Sequence, residues 1–127
     1  MDERITTAGI LKQHDHYLIA KRPEGGAVGG LWEFVGGKNR RGESPEETLV
    51  REFEEELGIT ITVGSLITTH HFVNNDTIYH LQVYEVAQVD DRPLTLKIHT
   101  HSAWVQKDEL SHYPLVESDQ AILPYLP

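Results

Sequence analysis

Residues 37 to 59 read GKNRRGESPEETLVREFEEELGI, and this segment constrains the fold of the chain more than any other. It contains the helix start Ser44-Pro45-Glu46-Glu47, in which serine caps, proline suits the first helical position and Glu47 completes a capping box. Gly58 is a helix stop, because glycine accepts the left-handed conformation that follows a helix. The pattern predicts one helix from about residue 45 to residue 57.

This predicted helix has an apolar face and an acidic face. Four apolar residues recur at helical spacing and predict the side that packs on the core: Leu49, Val50, Phe53 and Leu57. Glu52, Glu55 and Glu56 lie three and four residues apart, so their carboxylates neighbour each other. Crowded like charges are destabilising unless a cation lies among them, and Mg²⁺ or Mn²⁺ prefers such oxygen ligands. The segment therefore predicts a divalent-cation site, with a solvated acidic helix face as the alternative.

The spacing of the polar residues in this segment resembles the Nudix hydrolase box. Gly37 is followed after five residues by Glu43 and after seven more by Arg51-Glu52-Phe53. Glu55-Glu56 and Gly58-Ile59 then match the end of the box, so the box spans residues 37–59. Residues 31–38, LWEFVGGK, also resemble the MutT-like branch of this superfamily, which usually has proline where Val35 stands.

The resemblance implies an activity and a set of catalytic residues. Family members hydrolyse a nucleoside diphosphate linked to another group, and MutT-like members release pyrophosphate and a monophosphate from a nucleoside triphosphate. The metal ligands would be Glu52, Glu55, Glu56 and the backbone carbonyl of Gly37. Glu52 is the first candidate for orienting or deprotonating the water, and Arg51 supports the glutamates. The implied cofactor is Mg²⁺ or Mn²⁺.

The same resemblance places substrate-binding residues outside the acidic helix face. Arg22 lies where MutT-like members have a basic group near the phosphates, and an exposed arginine at a strand end is its alternative. Asp119 matches a position that reads the edge of the base, with a helix cap as the alternative. The remaining expected contacts are Phe34, Gly36, Gly37 and Lys38.

The chain departs from the family pattern after the box. Many members carry a further glutamate on a later strand, but residues 96–105, LKIHTHSAWV, contain no acid. His99 or His101 stands near that position, and a neutral imidazole can act as a base or a ligand. A surface histidine on an alternating strand is the favoured interpretation. Catalysis would then depend on the box glutamates, with Glu33 and Asp119 as the other carboxylates of interest.

Size and composition bound the class of protein. The chain has 127 residues, which predicts a single domain over residues 1–127. Its formal net charge of −9 disfavours a nucleic-acid polymer or an anionic membrane as partner. It has no cysteine, no long apolar run and no signal-peptide pattern at its start, so a cytoplasmic location is expected. The expected partner is a small nucleotide, bound by a monomer or a homodimer.

Alternating apolar residues and turn signals predict several strands around the helix. The predicted extended segments are 5–11, 17–21, 31–34, 59–72, 77–87, 94–98 and 101–106. A brief final helix is predicted at about 118–123, stopped by Pro124. This pattern indicates an α+β fold, a mixed α/β sandwich. The resemblance implies the Nudix form of it, with a mixed sheet packed between helices.

Three functions remain in competition at this point. The leading one is hydrolysis of a nucleoside triphosphate, such as 8-oxo-dGTP or CTP. The second is hydrolysis of another nucleoside diphosphate derivative, an NDP-sugar or a dinucleotide. The third is a non-catalytic nucleotide-binding module, which the presence of every box acid disfavours.

Overall fold

The computed structural model describes residues 1–127 and contains one six-stranded sheet with two α-helices and two 3₁₀ helices. The strands are β1 (Asp2–Gln13), β2 (His16–Lys21), β3 (Trp32–Glu33), β4 (Ile61–Asn74), β5 (Thr77–Gln88) and β6 (His101–Gln106). The α-helices are α1 (Pro45–Leu57) and α2 (Glu117–Gln120), and the 3₁₀ helices are Lys107–His112 and Leu123–Tyr125.

The sheet is mixed. β1 runs parallel to β5 over its length, and β5 pairs antiparallel with the long edge strand β4. β2 pairs antiparallel with β6, with the short β3 and, near their shared turn, with β1. Together with the helices, this arrangement confirms the predicted α+β sandwich with a mixed sheet.

The divergence of β1 from β2 creates the space in which the candidate site lies. The two strands pair only at Lys12 with Tyr17 and Gln13 with His16. Farther along, the segment 35–39 lies against the open side of β1. The N–H of Gly9 donates to the carbonyl of Val35 at 2.8 Å, and the N–H of Asn39 donates to the carbonyl of Ile5 at 3.0 Å. The glycine turn before the helix is thus fixed by backbone hydrogen bonds to β1.

Apolar layers cover both faces of the sheet. On one face, α1 places Leu49, Phe53 and Leu57 against the sheet, all at most 1% exposed. On the other face, the C-terminal segment contributes Leu110, Leu115, Ile122 and Leu126. Burial of each such side chain stabilises the fold by about 1.5–3 kcal/mol. The strands are therefore held between two layers. The cleft is lined by residues of β1, β4, β5 and α1 and of the loops beside them.

Helix α1 begins and ends where the sequence predicts. The side chain of Ser44 accepts a hydrogen bond from the N–H of Glu47, and the side chain of Glu47 accepts one from the N–H of Ser44. Gly58 has a φ of 67° at the C-cap. The predicted apolar face is wrong at one position, because Val50 is 39% exposed. Thr48 and Glu56 are buried instead. The hydroxyl of Thr48 donates to Glu43 at 2.9 Å, which makes its burial possible.

Two predictions for the C-terminal third are wrong. Residues 94–98 form no strand, because the N–H groups of Thr95 and Lys97 donate to carbonyls at the end of α1 rather than to a neighbouring strand. The final helix is shorter than predicted, and Pro124 lies inside the second 3₁₀ helix instead of ending α2. Proline is tolerated there since the start of a helix needs no N–H donor. No helix has the length and apolar character needed to span a membrane.

Candidate active site

The turn at Gly36-Gly37 brings the backbone next to the acidic face of α1. The carbonyl of Gly37 accepts hydrogen bonds from the N–H of Thr7 at 2.9 Å and from its hydroxyl at 3.0 Å. A Cβ atom on Gly37 would lie 2.6 Å from the carboxyl carbon of Glu52, so the Glu52 side chain would have to move if a larger residue stood there. The neighbouring carbonyl of Gly36 accepts no hydrogen bond from the protein.

Arg51 connects this turn to the helix through several hydrogen bonds. Its Nε donates to Glu43 at 2.6 Å, and its Nη1 donates to Glu52 at 2.6 Å and to Glu55 at 3.2 Å. Its Nη2 reaches the carbonyl of Lys38 at 3.2 Å. The hydrogen bond from Arg51 is the main reason that the pKa of Glu43 falls to about 2. The guanidinium thereby fixes the orientation of two of the three helix acids.

Glu56 is the buried member of the acidic face. Its side chain is 7% exposed, and its Oε2 atom has no hydrogen-bond partner. Burial, followed by hydrogen bonding to Glu52 and the negative charges of Glu52 and Glu33, raises the pKa of Glu56 to about 10. Burial and the neighbouring acids therefore disfavour the charged form of this carboxyl. A divalent ion among these oxygens would supply the missing positive charge, so the donor set fits a hard metal.

A second group of charges lies beside Glu56. The carboxylate of Glu33 accepts from Arg22 at 3.2 and 3.3 Å and contacts the Nε2 atom of His99 at 2.8 Å. That nitrogen also lies 3.9 Å from Glu56. One nitrogen or oxygen from each of Glu33, Glu56 and His99 lies within 4.8 Å of the others, close enough for a metal ion.

The favoured interpretation of His99 as a surface histidine on a strand is wrong. Its side chain is 0% exposed, and it precedes β6 in a loop. His101 is exposed in β6, and its one side-chain hydrogen bond is with Thr100. Arg22 follows β2 with its side chain 38% exposed, as the alternative of an exposed arginine at a strand end has it, and it pairs with Glu33 at 3.2 Å.

Asp119 lies at the far wall of the site. It is 4% exposed, and its Oδ2 accepts from the backbone N–H of Phe34 at 2.8 Å. Burial raises the pKa of Asp119 to about 8; the Phe34 hydrogen bond opposes the shift and the charge of Glu33 adds to it. The helix-cap alternative is wrong, because Val116 precedes α2 and no side chain caps it. The ring of Phe34 packs in the core, so its backbone rather than its ring faces the site.

These groups surround one cleft of about 690 Å³. Apart from Arg51, which acts from behind the acids, every expected site residue lines it: Arg22, Phe34, Gly36, Gly37, Lys38, Glu52, Glu55, Glu56 and Asp119. The cleft wall also includes Phe72, an aromatic that could stack on a base, together with Arg4, Arg40 and Tyr79. Sequence reasoning did not connect the last three with the site. No local pattern marks them, because strand pairing and loop closure bring them there.

Comparison with known proteins identifies the class that this fold and this site define. The model of the NUDIX domain family matches residues 6–125, and the chain belongs to that family.

Two similar proteins show where the chain lies within the family. The CTP pyrophosphohydrolase of Escherichia coli K12 is 38% identical over 118 residues, covering 91% of this chain and 85% of that protein. The 8-oxo-dGTP diphosphatase of Proteus vulgaris is 36% identical over 107 residues, covering 84% and 80%.

A similar solved structure is that of the E. coli ORF135 protein, with a TM-score of 0.88 and 35% identity. The similarity covers 98% of this chain and 89% of that one.

Proposed function

We propose that this chain is a metal-dependent nucleoside triphosphate pyrophosphohydrolase with Mg²⁺ or Mn²⁺ as its cofactor. In the reaction, the oxygen of a water molecule bonds to an internal phosphorus, a bridging P–O bond breaks, and pyrophosphate leaves the nucleoside monophosphate. The names of the two sequence relatives, a CTP pyrophosphohydrolase and an 8-oxo-dGTP diphosphatase, support this reaction. The single supporting observation in the structure is the buried Oε2 atom of Glu56, which has no hydrogen-bond partner, among further acids at a cleft.

The residues that would hold the cation are Glu52, Glu55 and Glu56, with a backbone carbonyl of the glycine turn. The carbonyl of Gly37 is the expected backbone ligand; Gly37 packs against the Glu52 carboxyl, and its carbonyl accepts hydrogen bonds from Thr7. When bound, the cation neutralises charge on the phosphoryl oxygens and eases deprotonation of the attacking water.

The chain's own side chains supply positioning and charge. Glu52 is the proposed group that orients the water, because Arg51 fixes one of its oxygens and Gly37 leaves space beside it. Lys38 and Arg40 are exposed cations of the cleft wall that could contact phosphate oxygens, although Arg40 lies 3.7 Å from Glu55 here. Arg22 is bound to Glu33 here and would have to exchange that partner for a phosphate. Asp119 and the Phe34 backbone form the proposed contact with the base.

The test is pyrophosphate release from a panel of nucleoside triphosphates with Mg²⁺ or Mn²⁺, together with Mn²⁺ binding measured by electron paramagnetic resonance. We expect Glu56→Gln to weaken Mn²⁺ binding and to lower kcat by about a hundredfold to a thousandfold. Glu46→Gln is the matched control, because Glu46 is exposed in the first turn of the same helix. Absence of wild-type turnover on every nucleotide would overturn the proposal and favour a binding module.

A further inference from the structure

The arginines of the cleft differ in their partners. Arg22 pairs with Glu33 at 3.2 Å, and Arg40 lies 3.7 Å from Glu55. Arg4 also lines the cleft but has no ion pair and no side-chain hydrogen bond. The chain has 20 acidic residues against 11 lysines and arginines, so carboxylates are abundant. The guanidinium of Arg4 nevertheless keeps its five donors free at the wall of the cleft.

The strand register places Arg4 beside an aromatic surface. Arg4 of β1 is directly opposite Tyr79 of β5, and Tyr79 is directly opposite Phe72 of β4. The Phe72 and Tyr79 rings stack with their centroids 5.3 Å apart and their planes 19° apart. All three residues line the cleft, as does Asn74 at the next position of the same face. Flat aromatic surfaces favour stacking with a nucleobase over contact with a phosphate.

Arg4 is also set apart from the proposed metal site. Thr7 holds the Gly37 backbone against which Glu52 packs, and Arg4 is three residues earlier on the same strand. At about 3.3 Å per residue, this separation along β1 is about 10 Å. The backbone of Lys38 lies opposite Thr6, and its Nζ lies 5.4 Å from the centroid of the Tyr79 ring.

We propose that Arg4 is a specificity-determining residue that binds the edge of the substrate's base, an inference that depends on the proposed hydrolysis of a nucleoside triphosphate. A guanidinium donates two parallel N–H groups, which match a carbonyl oxygen next to an unprotonated ring nitrogen. Cytosine presents this pair at O2 and N3. Uracil does not, because its N3 carries a proton. The contact therefore selects for CTP over UTP.

The experiment compares kcat/KM for CTP and UTP in the wild type, Arg4→Leu, Arg4→Lys and Arg41→Leu. Arg41 is the matched control, because it has no ion pair and lines a neighbouring surface hollow instead of the cleft. We expect Arg4→Leu to lower kcat/KM for CTP about tenfold or more and to change that for UTP by less than about threefold. Arg4→Lys keeps the positive charge but not the two parallel N–H donors of the guanidinium. It should therefore lose most of the discrimination between CTP and UTP.

Equal losses for CTP and UTP would show a phosphate contact and overturn the proposal, as would unchanged discrimination in Arg4→Leu or Arg4→Lys. Thermal unfolding of each variant checks that the fold is retained.

Calorimetric binding of CMP and UMP keeps the test independent of turnover. If the wild type releases no pyrophosphate, the proposed function fails. Selective loss of CMP binding in Arg4→Leu would still support the base contact, and its absence would overturn that contact.

Discussion

The Nε2 atom of His99 lies 2.8 Å from Oε2 of Glu33, with the imidazole fully buried and the carboxylate at the wall of the cleft. Arg22 contacts the same carboxylate from another direction. Glu33 is thus held between two nitrogen donors, next to the acids of α1. This pairing joins the loop before β6 to β3. It gives His99 a buried structural role that no local pattern in the sequence indicates.

Replacement of His99 should be costly for the fold. In His99→Leu, Glu33 loses a buried donor, and a hydrogen bond to a charged group is worth about 1.5–3 kcal/mol. We expect the free energy of unfolding in urea to fall by that amount. His101→Leu is the control, since His101 is exposed, and it should stay within about 0.5 kcal/mol of the wild type. Equal effects of the two substitutions would contradict a structural role for the His99–Glu33 pair.

Glu43 should make stability depend on pH in the acid range. Because Arg51 lowers the pKa of Glu43 to about 2 from an ordinary 4.5, the unfolded chain takes up this proton first. The stabilisation by Glu43 is fully present above about pH 4.5 and is lost as the pH falls toward about 2. We expect the stability difference between the wild type and Glu43→Gln to shrink over that range in urea unfolding curves.

Glu46→Gln, which removes an exposed charge from the same helix, controls for general charge effects on this pH dependence. A difference between the wild type and Glu43→Gln that stays constant from neutral to acid pH would contradict the Arg51–Glu43 bond as its cause.

The contribution of Asp119 to stability should depend on pH in the opposite direction. Burial raises the pKa of Asp119 to about 8 from 3.8, so the folded protein binds a proton that the unfolded chain has released. Wild-type stability relative to Asp119→Asn should therefore fall as the pH rises from about 4 to about 8 and level off above that. Chemical unfolding at several pH values measures this. A relative stability that rises over the same range would show that Asp119 is ionised in the folded state.

Gly37→Ala tests the close approach of the turn to the helix. The added Cβ would lie 2.6 Å from the carboxyl carbon of Glu52 and would displace that side chain. We expect kcat to fall by about a hundredfold, because small displacements of catalytic groups have effects of this size. Gly64→Ala is the control, since its nearest contact is an ordinary 3.5 Å. Wild-type kcat in Gly37→Ala would show that the position of Glu52 is not critical.

The helix with its acids could be predicted from the sequence because its determinants are local. The Ser44–Glu47 capping box, Gly58 and the spacing of the glutamates all act within one or two turns. The strand prediction for residues 94–98 failed because Thr95 and Lys97 pair with the end of α1, a contact that an apolar pattern does not specify. The prediction of a single domain over residues 1–127 and the assigned roles of the site residues stay predictions.

The sequence by itself determined the α1 helix, its acidic face and the class of chemistry that such a face supports. Tertiary structure alone decided that His99 is buried against Glu33, that Asp119 accepts from Phe34, and that Arg4 faces the cleft unpaired. The physical reason is the separation along the chain over which each kind of interaction acts. Helical periodicity and capping act between residues a few positions apart, whereas these contacts join residues brought together by strand pairing and by loops that close over the sheet.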